Sequence, residues 1–257
     1  MKPADPLAWR WRDGELVPVA HPHAVALDDL LCVDRQKAAL VQNTRQFVAG
    51  APANHALLTG ARGTGKSTLV KAQLSAFAEQ GLRLVEVPPH ELARLPDVVR
   101  PLRERRERFL LYVDDFSVAA DDPALSALKA ALDGDIEAPP DNVLICATSN
   151  RRHLVPERQS ENREYRWEDG ELHPGETTEE KISLSERFGL WLSFPAFGQD
   201  QFLALVAHHL AALGAASPEA EWQEQALRWA LNRASRSGRV AAQFARDYAG
   251  RQAIKPR

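Results

Sequence analysis

The sequence predicts an α/β protein: a parallel five-stranded sheet sandwiched by helices, followed by a small all-helical domain. Short apolar runs at 55–59, 82–87, 109–113, 143–147 and 190–194 alternate with helical stretches at 66–80, 97–107, 122–133 and 177–187. Alternation of that kind buries a parallel sheet on both faces. After Pro195 the strand signals stop, and 199–213, 219–235 and 238–250 all read as helices rich in Ala and Leu. The 257 residues, 44% hydrophobic and 26% charged, suffice for such a core with a satellite and lie outside the disordered range.

The elements follow in chain order. Residues 1–26 form an N-terminal extension in which Asp13-Gly14 sits between alternating apolar positions, a hairpin signal. The string Arg-Trp-x-Asp-Gly-Glu-Leu occurs there and again at 166–172, so two small exposed hairpins are expected. From Asp34, a candidate N-cap, the apolar spacing through Ala38, Val41, Phe47 and Val48 is helical, and Gly50-Ala51-Pro52 ends that helix. The nucleotide-binding core is expected over 27–197, with a charged insertion at 155–180, and the helical lid over 198–257.

Gly60-Ala61-Arg62-Gly63-Thr64-Gly65-Lys66-Ser67 fits the Walker A pattern, and it lies between a strand signal and a helix signal as that pattern requires. Its glycines let backbone N–H groups converge on a phosphate, and the dipole of the following helix adds to the attraction. Gly60, Arg62, Gly63, Thr64, Gly65, Lys66, Ser67 and Thr68 are therefore candidate ATP contacts. Lys66 would neutralise the β- and γ-phosphates, and Ser67 would offer its hydroxyl to Mg²⁺.

The strand Phe109 to Val113 ends in Asp114-Asp115. Asp114 is the candidate magnesium ligand, and Asp115 the group that orients or deprotonates the attacking water. The strand Val143 to Cys146 runs into Ala147-Thr148-Ser149-Asn150. Asn150 is a candidate for holding that water near the γ-phosphate, with turn chemistry as the plainer reading. Arg151 and Arg152 follow it and could reach a phosphate or a neighbouring subunit.

Two further segments extend the series. Ser185-Glu186-Arg187-Phe188 precedes the last strand and resembles the arginine-finger element of AAA+ ATPases, with a surface ion pair as the plainer reading of Arg187. Ser237-Gly238-Arg239-Val240 opens the last helix and resembles their sensor 2, where a lid arginine reaches back to the nucleotide; Arg233 and Arg236 are competitors for that part. In this order the motifs resemble an AAA+ ATPase. More sharply, 27–31, 33–37, 148–154, 173–176 and 180–191 together resemble a bacterial AAA+ family catalogued as domain of unknown function 815. The resemblance implies ATP binding and hydrolysis, and it implies that Leu31 and Val33 wall the adenine pocket. It implies a ring in which Arg187 acts in trans. Two departures stand out: Asp115 occupies a position where the catalytic acid is usually Glu, which implies slower hydrolysis or closure by a partner, and Cys32 stands where the family tends to have Gly.

Composition bounds the partners. Net charge is −3, which excludes a strongly basic nucleic-acid module. Arginine outnumbers lysine 25 to 7, mostly a genome-composition effect. Two cysteines make no disulfide framework, no apolar run is long enough for a membrane span, and the first residues lack a leader's apolar stretch, so a cytoplasmic protein is expected. The expected activity is ATP hydrolysis at a subunit interface, driving assembly or remodelling of a protein client, with Trp167 in the insertion as a candidate client contact. A nucleic-acid-binding, initiator-like protein is the alternative. Its candidate patch is Arg100, Arg103, Arg105, Arg106 and Arg108, but Glu104 and Glu107 interleave, which favours a face of ion pairs. A small-molecule kinase is a third reading that fits the lid and finger less well.

Overall fold

The computed structural model describes residues 6–117, 123–134, 138–150, 166–168, 171–173, 186–215 and 218–254. A hairpin of β1 (Ala8–Arg12) and β2 (Glu15–Pro18) opens the chain. Then come α1 (Asp34–Val48), β3 (Ala56–Gly60), α2 (Lys66–Phe77), β4 (Leu82–Glu86), α3 (Leu95–Arg103), β5 (Arg108–Val113), α4 (Pro123–Asp133) and β6 (Val143–Ser149). A second hairpin, β7 (Arg166–Glu168) and β8 (Glu171–His173), precedes β9 (Leu190–Phe194). Three helices follow: α5 (Gln199–Ala212), α6 (Glu219–Asn232) and α7 (Gly238–Ala253). The expected helix at 177–187 lies outside the described residues over 177–185.

The main sheet has seven strands, not five, in the order β2-β1-β4-β5-β6-β3-β9. All five expected strands are present and pair in parallel. The correction concerns the N-terminal hairpin. It was expected to be small and exposed, yet β1 pairs in parallel with β4, placing Ala8, Trp9 and Arg10 opposite Leu84, Val85 and Glu86. The physical reason is apolar area. Trp9 and Trp11 are only 5% and 3% exposed, and burying two indoles against the sheet edge outweighs leaving the hairpin in solvent. Arg105 stacks 5.0 Å from the Trp9 ring centroid, and Arg10 pairs with Glu86 at 2.7 Å.

Strand alternation sorts the core into two layers. In β5, Leu110 and Tyr112 join the cluster that also holds α1, α2 and the C-terminal helices, whereas Phe109, Leu111 and Val113 join the cluster under α3 and α4. Both faces of the sheet are therefore covered, as a parallel sheet requires. The arginines of the 100–108 segment are largely occupied within the chain. Arg100 pairs with Asp97, Arg105 with Glu107, and Arg103 and Arg108 donate to the carbonyls of Ala138 and Asp141.

This topology positions the site. The chain leaves β3 and crosses to β4, so the strand order reverses beside β3, with β6 and β5 next to it. Crevices at the carboxyl ends of strands at such a switch point are where α/β sheets bind ligands. Gly60 at the end of β3 has φ +132, and a Cβ there would lie 2.0 Å from the Phe194 carbonyl oxygen. Only glycine lets β3 and β9 run this close at the mouth of the loop.

Candidate functional site

A cavity of about 690 Å³ opens between the carboxyl ends of β3, β5 and β6 and the helical lid. The loop from Arg62 to Thr68 forms one wall, the carboxylates Asp114 and Asp115 with Asn150 a second, and Arg239 from the start of α7 a third. Residues distant in sequence, each expected to handle a triphosphate, thus line one space. Leu31 lines it as well, together with Leu30. Val33 does not: it is buried in the core just before α1, and its carbonyl accepts from Lys37 N at 2.8 Å. Gly60 is also outside the lining and reaches the site through its carbonyl, as follows.

Lys66 is the centre of the polar arrangement. Its Nζ donates to the carbonyl oxygens of Gly60 and Ala61 at 2.9 and 2.7 Å, and to Asn150 Oδ1 at 3.0 Å. Burial pushes its ammonium below the ordinary lysine range, while Asp115 and Asp114 pull it back up. The other end of Asn150 donates to Asp115 Oδ1 at 2.6 Å. One amide therefore ties the Lys66 ammonium to the second carboxylate of the acidic pair.

Asp114 is held by hydroxyls. Ser67 Oγ and Thr148 Oγ1 each donate to its Oδ1 at 2.7 Å. Burial would raise its carboxyl, but these hydrogen bonds outweigh burial and leave it below the usual carboxylate range. The buried Tyr112 hydroxyl lies beside the same group and, among the described residues, has no hydrogen-bond partner of good geometry; burial pushes it well above the usual phenol range. Ser67 and Asp114 are hard oxygen donors of the kind Mg²⁺ prefers, and an orphaned phenol next to them suits a water of its coordination sphere. The residues present thus fit a magnesium ion bound with phosphates. The following Asp115 takes φ +51, in the left-handed region, and its N–H donates to Thr148 Oγ1 at 3.1 Å.

The lid touches the loop directly. Gly238 N donates to the Gly63 carbonyl at 2.8 Å. Gly63 itself has φ +71, and a Cβ there would fall 2.7 Å from Ser237 Cβ. The Ser237 hydroxyl caps α7 by accepting from Val240 N at 3.3 Å. Helix start and phosphate loop are therefore packed backbone to backbone, with Arg239 held at the cavity.

Arg187 is elsewhere. It pairs with Asp133 at the C-terminal end of α4 and does not line the cavity of its own chain. Arg152, and the segments 151–154 and 174–185 that carried much of the family resemblance, lie outside the described residues.

The profile of a family described as a protein of unknown function, DUF815, matches residues 4–252. The chain belongs to the DUF815 family. No curated protein matches the chain. Among solved structures, this DUF815 protein is similar to Thermotoga maritima RuvB, described as a Holliday junction branch migration motor, with 15% identity, a TM-score of 0.56 and coverage of 83% of this chain and 59% of that one. For one point mutant of the same RuvB the values are 13%, 0.59, 86% and 63%, and for another 15%, 0.59, 86% and 64%. The DUF815 chain therefore spans less than two thirds of these structures. The shared fold is that of the AAA+ P-loop ATPases. Among the described residues, no helix of this DUF815 protein is long and apolar enough to cross a membrane.

Some cavity residues of the DUF815 protein escaped sequence reasoning. His23, Asp29, Phe197, His209 and Arg246 also line the cavity. Arg246 had a signal: it lies two helical turns after Arg239 on α7, so both face the same side. Asp29 and His209, from separate elements, had none. Burial, with His208 and Arg246 nearby, holds His209 below the ordinary histidine range, against the opposing pull of Asp29. Cys32, where the family tends to have Gly, adopts φ +62, the conformation glycine takes without steric cost.

Proposed function

We propose that this protein binds ATP with Mg²⁺ and hydrolyses it at a subunit interface, using the nucleotide cycle to assemble or remodel a protein client. The observation that supports the reading is the Lys66–Asn150–Asp115 chain of hydrogen bonds, in which one amide joins an ammonium suited to phosphate to a carboxylate suited to act as a base. Backbone N–H groups of 62–68 and the Lys66 ammonium would receive the β- and γ-phosphates in place of the carbonyls Lys66 now contacts. Magnesium held by Ser67 and Asp114 would neutralise charge on the same phosphates. Asp115 would then take a proton from a water positioned by Asn150. The water oxygen would bond to the γ-phosphorus as its bond to the bridging oxygen of ADP breaks. Leu30 and Leu31 would pack on the base, and Arg239 would approach the phosphates from the lid.

Arg187 supports a shared site. It lies outside its own cavity, so as an arginine finger it would serve a neighbour's nucleotide in a ring. Release of inorganic phosphate from ATP and Mg²⁺, without a phosphorylated acceptor, tests the reading and separates it from a kinase. Absence of both nucleotide binding and phosphate release would overturn it.

A second reading, ATP-coupled nucleic-acid binding, draws on the likeness in fold to a branch migration motor. The ion pairs within 97–108 and the net charge of −3 weigh against it. DNA affinity that falls steeply with salt would favour it over a protein client.

A further inference from the structure

The two hairpins are copies of one motif. Trp9-Arg10-Trp11-Arg12-Asp13-Gly14-Glu15-Leu16 and Tyr165-Arg166-Trp167-Glu168-Asp169-Gly170-Glu171-Leu172 are identical at six of eight positions, with an aromatic residue leading both. Their registers also coincide. Trp11 lies opposite Leu16 and Arg12 opposite Glu15 in the first, and Trp167 opposite Leu172 and Glu168 opposite Glu171 in the second. Asp13 and Gly14 both have positive φ, as a two-residue hairpin turn requires.

What the first hairpin does is visible. Its leading strand lies along the edge of β4, Arg10 pairs with Glu86, Trp9 packs by Phe109 and Arg105, and Arg94 lies 5.9 Å from the Trp11 ring centroid. The β4 edge is thus a receptor for an aromatic-Arg-Trp strand. The ladder between that strand and β4 is three residue pairs long. The sequence at 165–167 repeats an aromatic residue, an arginine and a tryptophan in that order, yet among the described residues β7 and β8 pair only with each other. A two-stranded hairpin alone is marginally stable in water and needs a further partner.

We propose that the hairpin at 165–173 of one copy docks on the β4 edge of a second copy, displacing that copy's residues 8–18. Charge complementarity sets the orientation: Arg166 occupies the place of Arg10 and would meet Glu86. The one charged difference, Arg12 against Glu168, falls where Arg12 makes an exposed ion pair with its neighbour Asp13 within its own hairpin. A tethered strand has the advantage of high effective concentration, so the exchange belongs to an assembled state in which the second copy is equally close. This inference is independent of the ATPase reading, because among the described residues neither hairpin lines the cavity proposed to hold the nucleotide.

The test mixes two differently tagged full-length copies, one carrying Arg166→Cys and the other Glu86→Cys. Neighbouring strands lie about 4.8 Å apart, within the Cα separation a disulfide spans. A single chain with Arg10→Cys and Glu86→Cys should close an internal disulfide and calibrate the geometry, and the wild-type pair supplies the background from Cys32 and Cys146. Mild oxidation should give a covalent heterodimer. Adding Gly14→Val to the acceptor loosens its own hairpin turn and should raise the yield about fivefold; Trp11→Ala is the second way to loosen it. Adding Trp167→Ala to the donor should abolish the product. No heterodimer with either loosened acceptor, an unchanged yield with Trp167→Ala, or a purely internal disulfide in a chain carrying both Arg166→Cys and Glu86→Cys would each overturn the proposal.

Discussion

Asn150 donates its side-chain N–H to Asp115 Oδ1 at 2.6 Å while its oxygen accepts from Lys66 at 3.0 Å. One polar side chain at the end of a buried strand thereby links the lysine proposed to bind phosphate to the carboxylate proposed to activate water. Replacing it with Ala removes the link but no apolar packing. Turnover is expected to fall by about 10²–10³, as when a single positioned donor is lost, with nucleotide affinity nearly unchanged. Steady-state phosphate release alongside a fluorescent-nucleotide titration checks this. Equal losses in both would place Asn150 in binding alone.

Asp115 adopts φ +51, and Asn is among the few non-glycine residues that tolerate that conformation. Asp115→Asn should therefore fold like the parent while losing the carboxylate. ATP binding should persist and hydrolysis drop by about 10²–10⁴, the usual contribution of a general base. Retained hydrolysis in a variant that binds ATP normally would remove Asp115 from the reaction.

Gly63 and Ser237 are packed too closely for an added methyl. Gly63→Ala places a Cβ 2.7 Å from Ser237 Cβ at φ +71. The left-handed conformation alone costs about 1–2 kcal/mol, and the clash drives the start of α7 off the loop. Weaker nucleotide binding and a lower melting temperature are expected, and Ser237→Gly should restore part of the affinity by removing the clash while the backbone strain stays. Calorimetry on the single and double variants measures both effects.

Arg187 should matter only between subunits. If it acts in trans, specific ATPase activity rises with protein concentration, and Arg187→Ala abolishes that rise with a loss of about 10³–10⁵ at full assembly. Asp133→Ala breaks the ion pair within the chain and serves as the control that keeps the finger. A concentration-independent rate in the parent protein would refute the trans assignment.

His55 links stability to acid. Its Nδ1 accepts from Ile145 N at 3.0 Å, and burial lowers its pKa from 6.5 to about 4. Between those values the unfolded chain binds more protons than the folded one, so stability rises with pH across the window. The contribution is complete above about 6.5, is lost as pH falls toward 4, and amounts to about 3 kcal/mol at most. Urea denaturation at pH 7.5 and 4.5 should show a smaller acid loss for His55→Asn than for the parent, after the variant's own lower stability at pH 7.5 is subtracted.

The loop that lines one wall of the cavity was legible because its pattern is local. Eight consecutive residues from Gly60 to Ser67 contain the glycines, the cation and the hydroxyl, and the flanking strand and helix follow from apolar spacing. Asp114, Asp115 and Asn150 were legible because polar residues ending buried strands of a parallel sheet must emerge at its carboxyl edge. The sequence by itself thus determined the layered α/β core, the helices after Pro195 and the loop, carboxylates and Asn150 that share the cavity. Tertiary structure alone decided the rest. The joining of β1 to β4 depends on where two indoles find apolar surface far along the chain. His23, Asp29 and His209 also join the cavity lining and share no local pattern. Val33 turned into the core while Leu30 and Leu31 faced the cavity, because the backbone around Cys32 takes a left-handed turn. Local spacing specifies which backbone a segment adopts, but which surfaces meet depends on contacts between residues whose separation in the chain leaves no periodic trace.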